Sequence, residues 1–188
     1  MISDVWSGVR GLNEEATMGK AEVEAGRLLA ATGQVDEWRV DVEAIAHHLN
    51  AQVVQERMDR SMSGLLYRDG DQVIIGVNSA HAQQRRRFTI AHEIGHLVLH
   101  PGRPLVMDHV RVNFRDVNSS LATDRDEIQA NAFAAEVLMP RDRVLSEARR
   151  LLEAGSEASM VSDLAQGFDV SEQAMEYRLI NLGLRRQV

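Results

Sequence analysis

The sequence predicts an α+β fold, and three observations support this class. Helical spacing of small and apolar residues marks residues 13–32 and 42–49 and the part that follows residue 122, whereas strand-like segments cluster between residues 51 and 77. Two of these segments flank Asp69-Gly70-Asp71, which is typical of a tight hairpin turn. A block of strands between blocks of helices favours a small antiparallel sheet in an α+β protein.

Composition narrows the class of protein further. The 188 residues suit one domain, or one domain with a small appendage, and a hydrophobic content of 44% argues against wholesale disorder. The absence of cysteine excludes disulfides, thiolate metal sites and cysteine catalysis. No apolar run suggests a membrane span and no secretory signal is visible, so we expect a soluble, cytoplasmic protein. A net charge of −7 and only 4% aromatic residues disfavour direct nucleic-acid binding.

The first half of the chain supplies two helices, three strands and a long helix. Residues 13–32 have helical spacing, and Asp41 is expected to cap a second helix at residues 42–49. A long helix is expected to open at Ser79 and to close at Pro101-Gly102. The three strands lie between the second and the long helix, at residues 51–55, 64–67 and 72–77.

The second half is predicted to be mainly helical. Residues 101–122 look irregular, with a short strand at 110–114. A capping-box pattern that starts at Thr123 predicts a helix from there to Met139, where Pro140 breaks it. Three more helices are expected, at residues 141–154, 159–167 and 172–182. The last two have the spacing of a helix-turn-helix, with Ser171 as the cap of the second.

The strongest chemical signal is the pentapeptide His92-Glu93-Ile94-Gly95-His96. Residues four apart on a helix differ by about 40° and one turn, so both imidazoles converge on one metal ion. Glu93 lies beside them, where its carboxylate can take a proton from a water on the metal. Apolar flanks indicate a buried helix, in which histidines need partners. The alternative is a pair of hydrogen-bonded core histidines.

A zinc ion needs a third protein ligand, and the chain offers several candidates. His100 lies two turns beyond His92, too far along the axis to share a tetrahedral ion, and is expected to serve as a cation or donor at the helix C-terminus. His109 lies in an irregular segment. Glu127 and Glu136 are nine residues apart and therefore point to opposite sides of their helix, so at most one of them faces the metal.

Glu127 is the predicted third ligand, because its helix face carries small residues that allow another helix to approach closely. Gly95, next to His96, offers the matching gap. Glu136 is then either solvent-facing or a salt-bridge partner. Asn131 shares the face of Glu127, and its carboxamide oxygen can accept the outer N–H of one histidine, with a packing role as the alternative.

Two stretches of the chain resemble the ImmA/IrrE family of zinc metallopeptidases. They are RFTIAHEIGHLVLH at residues 87–100 and EIQANAFAAEVLMP at residues 127–140, and the strand Ile75-Gly76-Val77-Asn78 also fits. The resemblance extends over residues 40–185. It implies a zincin-like core with one zinc ion on His92, His96 and Glu127, and with Glu93 as the catalytic base.

The resemblance also implies a cytoplasmic protease that cuts a helix-turn-helix repressor and so releases genes of a mobile element or a stress response. We accordingly expect an N-terminal helical segment at residues 1–35, a zincin-like metallopeptidase core at 36–155 and a small C-terminal helical segment at 156–188 packed on the core. A strand edge within residues 64–77 is expected to bind substrate by strand addition. Such a hydrolase needs a donor for the tetrahedral oxyanion. The candidates are His109, Tyr67, Tyr177 and Arg178.

The competing hypothesis is a regulator that binds DNA or protein without cleaving it, and whose metal site is structural or vestigial. The helix-turn-helix spacing at residues 164–179 supports it. Against it, the second helix carries Glu172 and Glu176 beside Arg178, whereas a helix that reads DNA should be basic or rich in amides. Glu93 also favours the enzyme, because a structural metal site has no use for a carboxylate next to its ligands.

Overall fold

The computed structural model describes residues 19–102, 104–109 and 121–185. Within these ranges the chain forms seven helices and one sheet of four strands, so the α+β class is confirmed. The helices are α1 (Lys20–Ala31), α2 (Val42–His48), α3 (Gln83–Leu99), α4 (Leu121–Leu138), α5 (Arg141–Glu153), α6 (Met160–Phe168) and α7 (Glu172–Asn181). The strands are β1 (Ala51–Glu56), β2 (Met62–Asp69), β3 (Gln72–Asn78) and β4 (Leu105–His109).

The sheet is mixed, with the order β1-β3-β2-β4. β2 and β3 form the predicted hairpin, whose two-residue turn places Gly70 at φ +55°, a conformation that glycine adopts at little cost. β4 is antiparallel to β2, but β1 runs parallel to β3, so the expectation of a purely antiparallel sheet was wrong. The expected substrate edge within residues 64–77 was also wrong, because β2 and β3 each have a strand on both sides.

The parallel pairing of β1 depends on the connection that carries the chain past β3 to β2. Asn78, at the end of β3 and 1% exposed, holds this connection with its side chain. Its carboxamide oxygen accepts the N–H of Met58, and its NH₂ group donates to the carbonyls of Asp59 and Met62. One buried amide thus satisfies three backbone groups of the crossing segment, which stabilises a topology that strand periodicity alone does not predict.

The long helix α3 lies on one face of the sheet, and α4 packs against α3. The close approach of the two helices depends on Gly95, as the sequence suggested. A Cβ atom at this position would lie 3.1 Å from Cα of Ala130 and 3.3 Å from Cβ of Phe133. Ala130 and Phe133 are fully buried, and Phe133 belongs to a core that joins α1, the inner face of the sheet, α3 and α4. This packing brings the start of α4 against the middle of α3.

Most predicted boundaries agree with the structure to within a few residues. The side chain of Asp41 accepts the N–H groups of Glu43 and Ala44, which confirms the predicted cap of α2. Residues 13–18 of the first predicted helix, and the expected strand at 110–114, lie outside the described residues. β4 forms instead in a stretch expected to be irregular. Helix α4 begins at Leu121, so the prediction that its N-cap is Thr123 was wrong.

The last two helices have the predicted form and dock on the rest of the chain. Ser171 caps α7 by accepting the N–H of Ala174, as expected, and Asp169 ends α6 in the left-handed region at φ +51°. Phe168 packs against Trp38, with ring centroids 5.2 Å apart.

The described helices include none whose length and apolar character would let it cross a membrane.

Candidate metal centre

The two histidines of the pentapeptide lie on one face of α3 and point at the same place. The Nε2 atoms of His92 and His96 are 3.0 Å apart. Both side chains are buried, with 3% of His92 and none of His96 exposed. Helix geometry accounts for the arrangement, because a spacing of four residues stacks the two rings one turn apart on the same side.

Glu127, at the start of α4, reaches the same point from the neighbouring helix. Its Oε2 atom is 3.4 Å from Nε2 of His92, and its Oε1 atom is 3.4 Å from Nε2 of His96. One ligand atom from each of the three residues lies within 4.8 Å of the other two, and no second cluster of this kind occurs in the described ranges. Ligands bound tetrahedrally at about 2.0–2.1 Å are separated by roughly 3.3 Å, so the spacing of the three side chains is compatible with a tetrahedral metal ion such as zinc.

The electrostatics of Glu127 and His96 suit a metal ion as well. Burial alone would raise the pKa of Glu127, but hydrogen bonding and charge from His92 and His96 outweigh it and hold the pKa of this carboxyl well below its ordinary range. Burial lowers the pKa of His96, and the hydrogen bond to Glu127 only partly opposes this shift. An ionised carboxylate and neutral imidazoles are the protonation states that bind a metal.

Glu93 lies on α3 between the two histidines in sequence and is completely buried. The structure places it under β2, at Gly64. A Cβ atom at residue 64 would lie 2.5 Å from Cγ2 of Thr89, 2.7 Å from the carbonyl oxygen of Gly76 and 3.5 Å from Oε1 of Glu93. The absence of a side chain at Gly64 therefore lets the strand cover Glu93 closely. A carboxylate buried at this position is a candidate base beside the candidate metal ligands.

Comparison with known families agrees with this geometry. The peptidase family described as the IrrE N-terminal-like domain matches residues 37–180, which is most of the chain. This protein belongs to that family. The resemblance to ImmA/IrrE proteins that the two sequence stretches indicated is thereby confirmed.

Three named relatives show how far the likeness extends. Metallopeptidase ImmA of Bacillus subtilis (strain 168) is 34% identical over 125 residues, which are 64% of this chain and 64% of the relative. Radiation response metalloprotease IrrE of Deinococcus radiodurans is 31% identical over 127 residues, which are 65% of this chain and 36% of the relative. Uncharacterized immunity region protein 2 of Bacillus phage phi105 is 30% identical over 103 residues, 55% of this chain and 60% of the relative. The chain thus spans less than two thirds of each relative's length.

A second layer of contacts surrounds the candidate ligands of this IrrE-like domain. Asn131 Oδ1 lies 3.0 Å from Nδ1 of His92, which is the contact that the shared helix face suggested. The outer nitrogen of His96 contacts His100 instead, with the two Nδ1 atoms 3.1 Å apart. His100 thus does more than the helix-end role expected from the sequence, because its ring turns back onto a candidate ligand.

Sequence reasoning missed Arg68, which lies on β2. Its guanidinium donates to the carbonyl oxygens of His96 at 2.8 Å and His100 at 3.1 Å, and so satisfies backbone acceptors at the C-terminal end of α3. Arg68 also interacts electrostatically with Glu93, although burial has the larger effect and lowers the pKa of the arginine. No local pattern in β2 marks this role, because it depends on how the strand lies across α3.

Two of the oxyanion candidates lie away from the three converging side chains. Gly64 and Arg68 face α3, so Tyr67, which alternates with them along β2, points to the opposite face of the sheet and is 38% exposed. Tyr177 lies on α7 and is 44% exposed. The backbone of His109 ends β4 opposite Met62, and its side chain lies outside the described residues.

The guanidinium of Arg178, the remaining oxyanion candidate, contacts a different part of the chain. It pairs with the carboxylate of Glu136 and donates from Nε to the carbonyl oxygen of Met139 at 3.0 Å. Glu136 is buried, so the solvent-facing alternative was wrong and the salt-bridge alternative is observed. Since Glu136 lies on the opposite side of α4 from Glu127, Arg178 packs behind α4 and away from the candidate metal ligands.

Proposed function

We propose that this protein is a zinc-dependent endopeptidase in which His92, His96 and Glu127 bind one zinc ion and Glu93 is the catalytic base. The observation that carries the proposal is the convergence of three ligand atoms within 4.8 Å beside a fully buried carboxylate. Membership of a peptidase family supports it. A purely structural site would use the three ligands but would gain nothing from Glu93.

The proposed mechanism divides the work between the metal and Glu93. Zinc, when bound, supplies Lewis acidity that polarises a peptide carbonyl and makes a water molecule a stronger acid. Glu93 accepts the proton of the attacking water and then delivers it to the leaving amine. His92 and His96 remain neutral and Glu127 remains ionised, so none of them competes for that proton. Asn131 keeps the ring of His92 in the orientation that aims Nε2 at the metal.

The first prediction concerns the third ligand. Replacing Glu127 with Ala removes the carboxylate that closes the site, so the zinc content after dialysis is expected to fall from about one ion per chain to near zero. Metal analysis of the dialysed protein measures it. Glu157→Ala, an exposed site between α5 and α6, is the matched control and should keep its zinc. Undiminished zinc in Glu127→Ala would show that another residue, His109 first, is the ligand.

We also propose that the substrate is a helix-turn-helix repressor, cleaved at one or few sites in the cytoplasm. The family resemblance supports this substrate, and the names of two relatives, which refer to a phage immunity region and to a radiation response, agree with a role in a mobile element or a stress response. The net charge of −7 is consistent with it, because an acidic enzyme attracts a basic DNA-binding partner and steers the encounter. Selectivity can also arise if the site admits only a flexible segment of the repressor.

The second prediction tests this substrate. Incubating the zinc-loaded protein with the repressor encoded beside its own gene should give one or two defined fragments, whereas casein, an unstructured control, should stay largely intact. Mass spectrometry of the products locates the scissile bond. Rapid digestion of casein with an untouched repressor would point to a general peptidase. A repressor that is bound but never cut would favour the regulator.

The DNA-binding alternative gains no support from the fold of the last two helices. Arg178 is the basic residue of α7, and it is buried against Glu136 instead of facing solvent. The exposed side chains of this helix include Glu172 and Glu176. An acidic outer surface repels the phosphate backbone, so we assign this segment a packing or substrate-facing role.

A further inference from the structure

The outer nitrogen of a metal-binding histidine usually donates to a carboxylate, a carbonyl or a water, which fixes both the tautomer and the orientation of the ring. His92 follows this pattern through Asn131. His96 does not, because its Nδ1 atom lies 3.1 Å from Nδ1 of a third histidine, His100. A histidine is a suitable acceptor only if its own proton is on the other nitrogen.

The surroundings of His100 hold its proton on that other nitrogen. Its Nε2 atom lies 3.0 Å from Oε1 of Gln129 and 3.4 Å from Oδ1 of Asp126. Because both partners present oxygen acceptors, Nε2 of His100 carries the hydrogen and Nδ1 is left with a lone pair. His96 then donates from Nδ1 to His100, and the lone pair on its Nε2 atom is free to bind the metal ion beside Glu127.

The backbone around His100 is fixed as well. His100 ends α3 with φ −124° and ψ 64°, outside helical values, which brings its ring to 5.2 Å from the ring of His96. Arg68 donates to the carbonyl oxygens of both residues. Asp126 and Gln129 flank Glu127 on α4. The helix that supplies the third candidate ligand therefore also supplies the acceptors for His100.

From these contacts we propose that His100 is a positioning residue, which fixes the tautomer and the ring orientation of His96 for metal binding and is itself held by Gln129 and Asp126. The proposal rests on the proposed function, because it assigns His96 to the metal. The sequence suggested that His100 acts as a cation or donor at the end of the helix. In this proposal it acts instead as a hydrogen-bond acceptor, through its Nδ1 atom.

The third prediction compares two substitutions of His100. His100→Leu removes the acceptor and is expected to weaken zinc binding by about 10- to 100-fold. His100→Asn places Oδ1 roughly where Nδ1 stood, so it should accept from His96 and stay within about threefold of the parent. Zinc affinity is measured by competition with a chromophoric chelator, and the absorption spectrum of the cobalt-substituted protein reports the ligand geometry. His48→Leu, an exposed histidine at the end of α2, is the matched control and should change neither.

Gln129→Leu tests the contact that holds His100, because it removes the oxygen that accepts the hydrogen of His100 Nε2. It should weaken zinc binding in the parent protein and have no further effect in the His100→Leu background, because both changes remove the same support. Urea unfolding of each metal-free variant shows that the loss does not come from misfolding. The role of His100 is overturned if His100→Leu binds zinc like the parent, if a folded His100→Asn is as weak as His100→Leu, or if the effects of Gln129→Leu and His100→Leu add.

His92→Ala separates this inference from the proposed function. If His92→Ala abolishes zinc binding while His100→Leu does not alter it, only the role of His100 is overturned. If zinc binds equally well to the parent and to His92→Ala, the metal centre itself has been assigned wrongly and both proposals fail.

Discussion

Replacing Glu93 with Gln is expected to slow peptide cleavage by about 10³-fold while the protein stays folded and keeps its zinc, because general-base catalysis contributes about 10²- to 10⁴-fold. Glutamine has nearly the same shape as glutamate, but its amide nitrogen cannot accept a proton. The substitution also fits the space under Gly64 and leaves His92, His96 and Glu127 unchanged. Single-turnover cleavage of the repressor, with zinc content measured on the same sample, gives both quantities.

The matched control for this experiment is Glu157→Gln, which removes one negative charge at an exposed position and should cleave at the parent rate. It corrects for any effect of net charge on the encounter with a basic substrate. A Glu93→Gln protein that retains its zinc and cleaves at more than a tenth of the parent rate would remove Glu93 from the role of base. Loss of zinc from Glu93→Gln would instead indicate that Glu93 supports the metal.

Replacing Arg178 with Met is expected to give the largest loss of stability, about 3–5 kcal/mol in the free energy of unfolding. Arg178 and Glu136 form an ion pair in which both side chains are buried. Removing the cation leaves an uncompensated carboxylate in the interior and also removes the donor to the carbonyl oxygen of Met139. Urea unfolding of the zinc-free protein, followed by circular dichroism, measures the change.

Two comparisons show whether burial is the cause. Arg185→Met breaks an exposed ion pair with Glu176, 3.1 Å long, and should cost less than about 1 kcal/mol. The double variant Arg178→Met/Glu136→Leu removes both buried charges and should regain much of the stability lost in Arg178→Met, because no charge is stranded. An Arg178→Met protein that loses no more than Arg185→Met would contradict the assignment of a buried, mutually dependent pair.

The features that could be predicted from the sequence are those that helix geometry fixes locally. The pairing of His92 with His96 follows from a spacing of four residues in any helix. The placement of the Glu127 face of α4 against α3 followed from its small residues, which meet Gly95 through Ala130, and the contact of Asn131 with His92 followed from the same face. Asp41 and Ser171 cap their helices through bonds to residues no more than three positions away. Each of these inferences needs only a helical period and a side-chain type.

The features that escaped prediction depend on contacts between distant parts of the chain. Alternation along β2 indicates that Tyr67 and Arg68 point to opposite faces, but it does not say which face meets α3, and so Tyr67 was chosen and Arg68 was overlooked. The parallel placement of β1 is held by Asn78, whose partners lie 16 to 20 residues earlier in the chain. Arg178 was taken as an available donor. The sequence does not show that it contacts Glu136, which lies 42 residues earlier in the chain and is buried with it.

Gly95 has a consequence for how the proposed activity can be lost in the course of evolution. Because the three candidate ligands come from two helices, the width of the candidate metal centre depends on the distance between those helices, which the contact of Gly95 with Ala130 limits. A methyl group at position 95 would push α4 outward by a few tenths of an ångström, which is about the tolerance of zinc–ligand bonds, roughly 0.2 Å. A descendant could therefore retain His92, His96, Glu127 and Glu93 and still be inactive. The residue at position 95 therefore indicates whether a relative that keeps the motif can still be active.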